Sequence, residues 1–564
     1  MFKNIKSLIV ALVAMLVMPA IPSRGQEICS EQGWLDDLDY LVKRLEISHP
    51  ELYRNVSEET FKNAVESLRR KIPALNDIDV VFEIHKMLAL IRDGHTLVWI
   101  NPDNVLFTEY LHFLPVVFYP FDDGLYITAI GREHENLVGR KILGIGSLPV
   151  DEVCKRVSTM ISADNQWGKL EQLPIYLRVV EVLRHFGATE SENVVKIRLA
   201  AQGGGEETLE LTASSLSAQP IMARFFDVFV EPDDSIATIN EGAEKARPLW
   251  LQGRSQNYWF QHLLETDLFY LQINVMRHKE DEDFNQFCER FFSALDQRQP
   301  ARLIIDLRHN SGGNHIEWPL VRGLIRRPFI DNPGRLFLVT GRTTYSAAQH
   351  LTTQIERYTE ATLVGEPTSG KPNHDGSGDR FTLPNSGIGI RTSIQYYQDS
   401  DPYDHRPMTK PHISIPLGST DYAANRDPVL DFIQGSDPDD VRPDFMAVLQ
   451  QAYEEKGYAE LKRTFISLGE RYSNYQRCLQ ESLLRISEWL YKDKKDMPGL
   501  MDLSQFIIKT YPDFYNAYYY FGLGMKEAGM SPMAMDYFRK CLELNPAHLE
   551  ARRELALLEL DSEK

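Results

Sequence analysis

The chain has 564 residues, of which 43% are apolar and 25% charged, which excludes a disordered or collagen-like polypeptide and leaves room for three or four domains at roughly 150 residues each. Lys and Arg total 61 against 80 Asp and Glu, and the resulting net charge of −19 is spread along the chain, so a nucleic-acid partner, which needs a concentrated basic surface, is excluded. The five cysteines, Cys29, Cys154, Cys288, Cys478 and Cys541, stand far apart with no CxxC pair, so neither a zinc-type metal site nor a disulfide framework is expected.

Residues 1–25 begin with Lys3 and Lys6, continue as an apolar run from Leu8 to Pro22, and end in the small residues Ser23 and Gly25. This pattern predicts a secretory signal, because the run is short of the ~20 apolar residues that span a bilayer. The mature protein is therefore expected to be exported, in a periplasmic or extracellular space, without stable membrane insertion; an uncleaved anchor is the alternative. Over 26–100 the apolar residues recur at helical spacing, as in Val81, Ile84, Leu88 and Ile91, with Asn76 or Asp77 placed to cap, and predict a helical domain closing at Asp93-Gly94-His95-Thr96. Over 101–215, short β-like runs (PVVFYPF, LYITAI, KILGIGSLPV, VVKIRLA) flank a helical insert between about Val150 and Arg184, the order of an interrupted PDZ-like module.

From Asp267 the pattern becomes strand, helix, strand: LFYLQINVM, DFNQFCERFFSALDQ, RLIIDLR, RLFLVTG, a helix from Ser346, then ATLVGE. Buried strands alternating with helices predict an α/β layer with a largely parallel sheet, and 216–433 is expected to be the domain that carries chemistry. Residues 434–564, which open on the acidic, proline-containing linker GSDPDDVRPD, read as a separate domain that is all helical after it. There Tyr518, Phe521, Gly522, Ala534, Phe538 and Pro546 resemble the tetratricopeptide pattern of about 34 residues. One such repeat cannot bury its own face, so the helices on either side are expected to be degenerate neighbours or caps, with a plain helical bundle as the alternative. Such a domain suits a protein partner.

Three segments point to chemistry when taken together. Leu303-Ile304-Ile305-Asp306-Leu307-Arg308 empties into His309-Asn310-Ser311-Gly312-Gly313, and paired glycines let backbone N–H groups face developing negative charge. In Thr344-Tyr345-Ser346-Ala347-Ala348 a strand gives way to a helix at a serine, which by itself suits a helix cap. Thr362-Leu363-Val364-Gly365-Glu366-Pro367-Thr368-Ser369-Gly370-Lys371 is a strand breaking into a turn that ends in lysine.

In combination and order these segments resemble the tail-specific, or C-terminal-processing, serine peptidases, whose cores share an IDLRxNxGG loop, a serine followed by small residues, and a VGExTxGK turn. The resemblance covers about residues 267–430. It implies a crotonase-like or ClpP-like α/β core preceded by a PDZ-like module, with Ser346 as nucleophile and backbone N–H groups of Gly312, Gly313 and Ala347 as the oxyanion hole. It implies polypeptide substrates and no cofactor.

Two residues compete for the general base. The family's lysine maps onto Lys371, whose pKa would have to fall from ~10.4 toward ~7–8, a shift of about 4 kcal/mol. Pro372 stands where the family usually has glycine, and it biases Lys371 toward extended backbone. The rival is His95, whose imidazole with a pKa of ~6.5 needs no such shift; the related tricorn-core-like branch uses an N-terminal histidine with a glutamate late in the core. That carboxylate position falls near Asp401 and Asp404. The remaining histidines show no metal-binding spacing. The function expected is an exported serine endopeptidase; the alternatives are a peptide-binding scaffold on a peptidase-like core and a small-molecule esterase or amidase.

Overall fold

The computed structural model describes residues 29–99, 106–201, 203–218, 224–402, 404–437, 441 and 443–562; the expected signal at 1–25 lies outside them. Three helices open it: α1 (Glu31–Ser48), α2 (Glu58–Lys71) and α3 (Asp77–Ala89). Each starts on a side-chain cap, with Ser30 accepting from the Gly33 N–H, Ser57 from Thr60 and Asn76 from Asp79, so first-turn amides that the helix itself cannot satisfy find a partner. Val81, Ile84, Leu88 and Ile91 are buried, as their spacing predicts. The chain then turns through Arg92, at φ 55, and His95 into the short strand β1 (Leu97–Trp99).

The β-rich module that follows contains β2 (Val116–Phe121), β3 (Gly124–Gly131), β4 (Ile142–Ile145) and β5 (Leu148–Pro149). The helical insert α4 (Val150–Val157), α5 (Gln166–Tyr176) and α6 (Val180–His185) comes next, then β6 (Val194–Ala200), β7 (Glu206–Thr212) and β8 (Ile236–Thr238). One sheet runs β5-β4-β6-β7 and the other β8-β3-β2. Strand β8, beyond the boundary expected at residue 215, pairs antiparallel with β3, Ile236 opposite Gly131. Phe225, Val230 and Ile236 pack on Val117 and Ala129, so apolar burial joins this stretch to β2 and β3.

The core is a six-stranded sheet of β9 (Tyr258–Leu263), β10 (Leu268–Ile273), β11 (Arg302–Asp306), β12 (Leu336–Thr340), β13 (Thr362–Gly365) and, returning at its edge, Ile413–Ser414. Only the first pairing is antiparallel. Helices α7 (Phe284–Arg298), α8 (Trp318–Ile325) and α9 (Ala347–Tyr358) connect the strands, and Phe287, Phe291, Leu320 and Leu351 seal the interior against Leu303, Ile305 and Leu338. The central strands are buried on both faces, as expected of a parallel sheet covered by helices.

After β13 the chain leaves the sheet in two hairpin pairings, β14 (Asn373–Gly376) with β17 (Gln395–Gln398) and β15 (Asp379–Thr382) with β16 (Gly389–Thr392). Strand β16 also pairs antiparallel with β1, and the Asp37 carboxylate accepts from the Asn385 and Ser386 N–H groups at 2.9 and 2.8 Å. Leu383, Ile388 and Ile390 join the apolar cluster that the first helices and the β-rich module share. The N-terminal helices are thus fused to their neighbours, and this fusion carries His95 onto the core.

From Phe445 to Ser562 the chain is helical, through α10 (Phe445–Lys456), α11 (Tyr458–Arg471), α12 (Gln476–Trp489), α13 (Met497–Thr510), α14 (Tyr515–Glu527), α15 (Ser531–Leu544) and α16 (Leu549–Ser562). A Cβ on Gly522 would meet the Phe538 ring at 2.7 Å, and Ala534 and Phe538 are fully buried, so α14 and α15 approach closely there. No helix among the described residues is long and apolar enough to cross a membrane.

Candidate active site

Where β12 ends, the Thr344 hydroxyl donates to the Leu307 carbonyl and accepts from the Gly341 N–H, both at 3.0 Å. That bond ties the turn before Ser346 to the end of β11. Ser346 itself has φ 53 and ψ −122 and stands at the N-cap of α9 without making a capping bond. The hydroxyl is turned away from the helix: Ser346 Oγ lies 3.1 Å from His95 Nε2. A side chain at positive φ strains the backbone by about 1–3 kcal/mol, so Ser346→Gly is expected to raise stability by about 1 kcal/mol while removing the hydroxyl. Chemical denaturation of the two proteins checks this.

The Gly-Gly loop is positioned by the charged residues of its own motif. Arg308 pairs with Asp306 and with Asp427, each at 2.7 Å, and Arg342 in the neighbouring turn pairs with Glu366. The Asn310 carbonyl accepts from the Tyr345 N–H at 3.1 Å, which links the two loops, and the Gly312 carbonyl accepts from Met276 at 2.9 Å. Gly312 and Gly313 adopt φ 114 and 141. A Cβ on Gly312 would lie 2.6 Å from Ser346 Cβ and 3.0 Å from the Ala347 nitrogen, so the glycine is required for the loop to reach the serine.

Of the three amides expected to form an oxyanion hole, the Gly312 N–H is already committed to Asn310 Oδ1 at 3.0 Å. The N–H groups of Gly313 and Ala347 donate to no acceptor among the described residues. Ala347 is the first residue of α9, where the helix leaves its amides unpaired and its dipole is positive.

His95 is 2% exposed. Its Nδ1 lies 2.7 Å from the Tyr345 hydroxyl, which donates to Asp164 Oδ1 at 3.5 Å. Asp164 Oδ1 also accepts from the Gly94 N–H at 2.8 Å. For Nε2 to present its lone pair to Ser346, Nδ1 must carry the proton and donate it to Tyr345, and Tyr345 must donate onward to Asp164. The imidazole is held between the Tyr345 ring, 4.7 Å away, and the His374 ring at 6.0 Å.

Burial lowers the His95 pKa to about 4, against the opposing pull of Asp93. Asp93 Oδ1 is 3.8 Å from Nδ1. Burial alone would raise the pKa of Asp93, but bonds from His49, Thr96 and Ser393 and the nearby His95 outweigh it and hold the carboxyl ionised. Burial pushes Asp164 the other way, upward. A fixed negative charge therefore sits within reach of the imidazole, where it favours the protonated form of the ring.

Lys371 is not brought to Ser346. Its Nζ donates to the Arg92 carbonyl at 3.1 Å, and the backbone that leads into Pro372 is pinned by His374 Nδ1 against the Lys371 carbonyl at 3.1 Å. Asp401 and Asp404 also lie elsewhere. Asp404 pairs with Arg406 and Arg477, and Asp401 accepts from the Tyr515 hydroxyl at 3.2 Å; both bind the C-terminal helices to the core. The groups around His95 that spacing did not reveal are Tyr345, Asp93 and Asp164. Tyr345 and Asp93 flank residues already singled out, whereas Asp164, in the helical insert, carries no sequence signal.

No protein-family model and no curated protein matches the chain. Solved structures do. Mature CPAF complexed with lactacystin is 12% identical over 70% of this chain and 96% of its own, at a TM-score of 0.48. The photosystem II D1 C-terminal processing protease is 13% identical over 70% and 96%, at 0.32, and tricorn protease 14% over 73% and 37%, at 0.33.

Proposed function

We propose that the protein is a serine endopeptidase that hydrolyses polypeptides through an acyl-enzyme on Ser346. The observation that carries this reading is the 3.1 Å contact between Ser346 Oγ and His95 Nε2, with the unpaired Gly313 and Ala347 amides beside the same serine. His95 takes the hydroxyl proton as Oγ attacks the peptide carbonyl. The carbonyl oxygen becomes an oxyanion facing the Gly313 and Ala347 N–H groups. His95 then returns the proton to the departing amine, and water enters by the reverse path to release the acid. Tyr345 orients the ring through Nδ1, and the negative charge of Asp93 stabilises the imidazolium.

The same reading extends to the rest of the chain. The apolar run at Leu8–Pro22 supports export to a periplasmic or extracellular space, and the α14–α15 pair supports a protein partner at the C-terminal helices.

Because Nε2 must be unprotonated to act, activity is lost as pH falls through the pKa of His95. Burial has lowered that pKa to about 4, so kcat/KM is expected to hold from neutral pH down to about 5 and fall by half near 4. A lysine base would place the limb near ~7–8. The pH profile of peptide cleavage decides between them. Incubation with an unstructured polypeptide such as casein tests the function as a whole: internal fragments support it, and an intact substrate after days refutes it.

A further inference from the structure

Arg391 lies in β16, opposite Leu97 of β1 and Arg380 of β15. Its strand neighbour Ile390 is buried in the cluster shared by the N-terminal helices, so alternation along the strand turns Arg391 to the opposite face. Leu97, opposite Arg391, is two residues after His95, and a Cβ on Gly376, two residues before Gly378, would lie 3.5 Å from the His95 ring; the charge of Arg391 disfavours the protonated form of that ring. The Arg391 stem passes Gly378, where a Cβ would lie 2.1 Å from Nε, so a residue without a side chain is needed to admit it.

Near His95, this arginine has no paired anion among the described residues. Arg308, Arg342 and Arg406 each hold a carboxylate in a close ion pair. Arg391 forms no ion pair among the described residues, and its Nε is buried without an acceptor. The nearby carboxylate is taken: Asp93 already accepts from the His95 N–H, the hydroxyls of Thr96 and Ser393, and His49 Nε2. Arg380, its cross-strand neighbour, adds a second positive charge and lies over the Trp99 ring. A partly desolvated guanidinium without a counter-ion is costly, and its planar fork matches a carboxylate.

We propose that Arg391 is a substrate subsite that receives a carboxylate of the polypeptide close to the bond being cut, from either a free C-terminus or an Asp or Glu side chain. The inference rests on the peptidase reading and adds substrate selection to it. In a chain of net charge −19, an acidic substrate is repelled in general, so a local cation is needed to seat it.

The test measures Ser346 modification by a fluorophosphonate in the full-length protein at low salt, in the presence of matched peptides. One pair differs only in a free or an amidated C-terminus. A second, amidated, differs only in Glu against Gln on either side of the central bond. Wild type is expected to be protected by a carboxylate form at concentrations about tenfold lower than by its neutral twin, the share of one charge-assisted hydrogen bond. R391Q is expected to bring that ratio to about 1, with R391K retaining part of it. Whichever pair shows the difference names the source of the carboxylate. Equal protection by both members of each pair in wild type, or an unchanged ratio in a folded R391Q protein that still labels, overturns the subsite and leaves the peptidase reading intact. Failure of Ser346 to label in wild type removes both.

Discussion

Ser346→Ala and His95→Ala are each expected to lower kcat/KM for peptide cleavage by at least about 1,000-fold, whereas Lys371→Ala stays within about threefold of wild type. The serine hydroxyl is not acidic enough to attack a carbonyl until a base takes its proton, and among the described residues the base hydrogen-bonded to it is His95. Either deletion removes the same event, so the double variant should be little worse than each single one. Lys371 is engaged with the Arg92 carbonyl, a contact that helps tie the turn to the N-terminal segment. Its loss costs a single exposed hydrogen bond, about 1 kcal/mol at most. Steady-state kinetics of wild type and these variants on one peptide measure the effects.

Gly312→Ala is expected to reduce activity by more than about 100-fold, the loss typical of a disabled oxyanion hole. It differs from a simple cavity or surface change because two constraints fail together. The φ of 114 is unfavourable for alanine, and the added Cβ would stand 2.6 Å from Ser346 Cβ and 3.0 Å from the Tyr345 carbonyl oxygen. Neither neighbour is a flexible side-chain end that can swing away. The loop must therefore withdraw, taking the Gly313 amide with it and loosening the contact with Met276. A stability cost on the order of 2 kcal/mol should accompany the lost activity. Ser311→Ala, one position away in the same loop and without a positive-φ requirement, is the matched control and should keep most of the activity. Cleavage rates and thermal midpoints of the two variants distinguish them.

The residues closest to the reaction could be read from the sequence because the chemistry demands particular types in short motifs. A serine before small residues at a helix start, a Gly-Gly loop after a buried strand and a histidine in a tight turn are each visible locally. Long-range direction is not. Lys371 stands at the expected number of residues from Ser346, yet residue count does not say which way a side chain points, and Pro372 and His374 turn the segment toward Arg92. Asp401 and Asp404 illustrate the same limit, since they stand near the related branch's carboxylate position counted from Ser346, while Arg406, Arg477 and Tyr515 hold them against the C-terminal helices. The ring of groups around His95 was hidden for a different reason. Asp164 reaches it from a helical insert, and only the packing of that insert against the turn before β1 and the turn before α9 brings the two together.

The fold shows the same division between local and distant information. Helix caps at Ser30, Ser57 and Asn76 and the buried strands β10 to β13 follow from short patterns. The pairing of Ile236–Thr238 with residues 129–131 joins segments more than a hundred positions apart, and neither segment alone specifies its partner.

Intact-mass spectrometry after brief exposure to a fluorophosphonate, followed by peptide mapping, examines the pairing of Ser346 with His95 most directly. A single adduct on Ser346, formed rapidly in wild type, slowed by at least about 100-fold in His95→Ala and unaffected in Lys371→Ala, is the expected result. An unmodified Ser346, or equal labelling in wild type and His95→Ala, would contradict it.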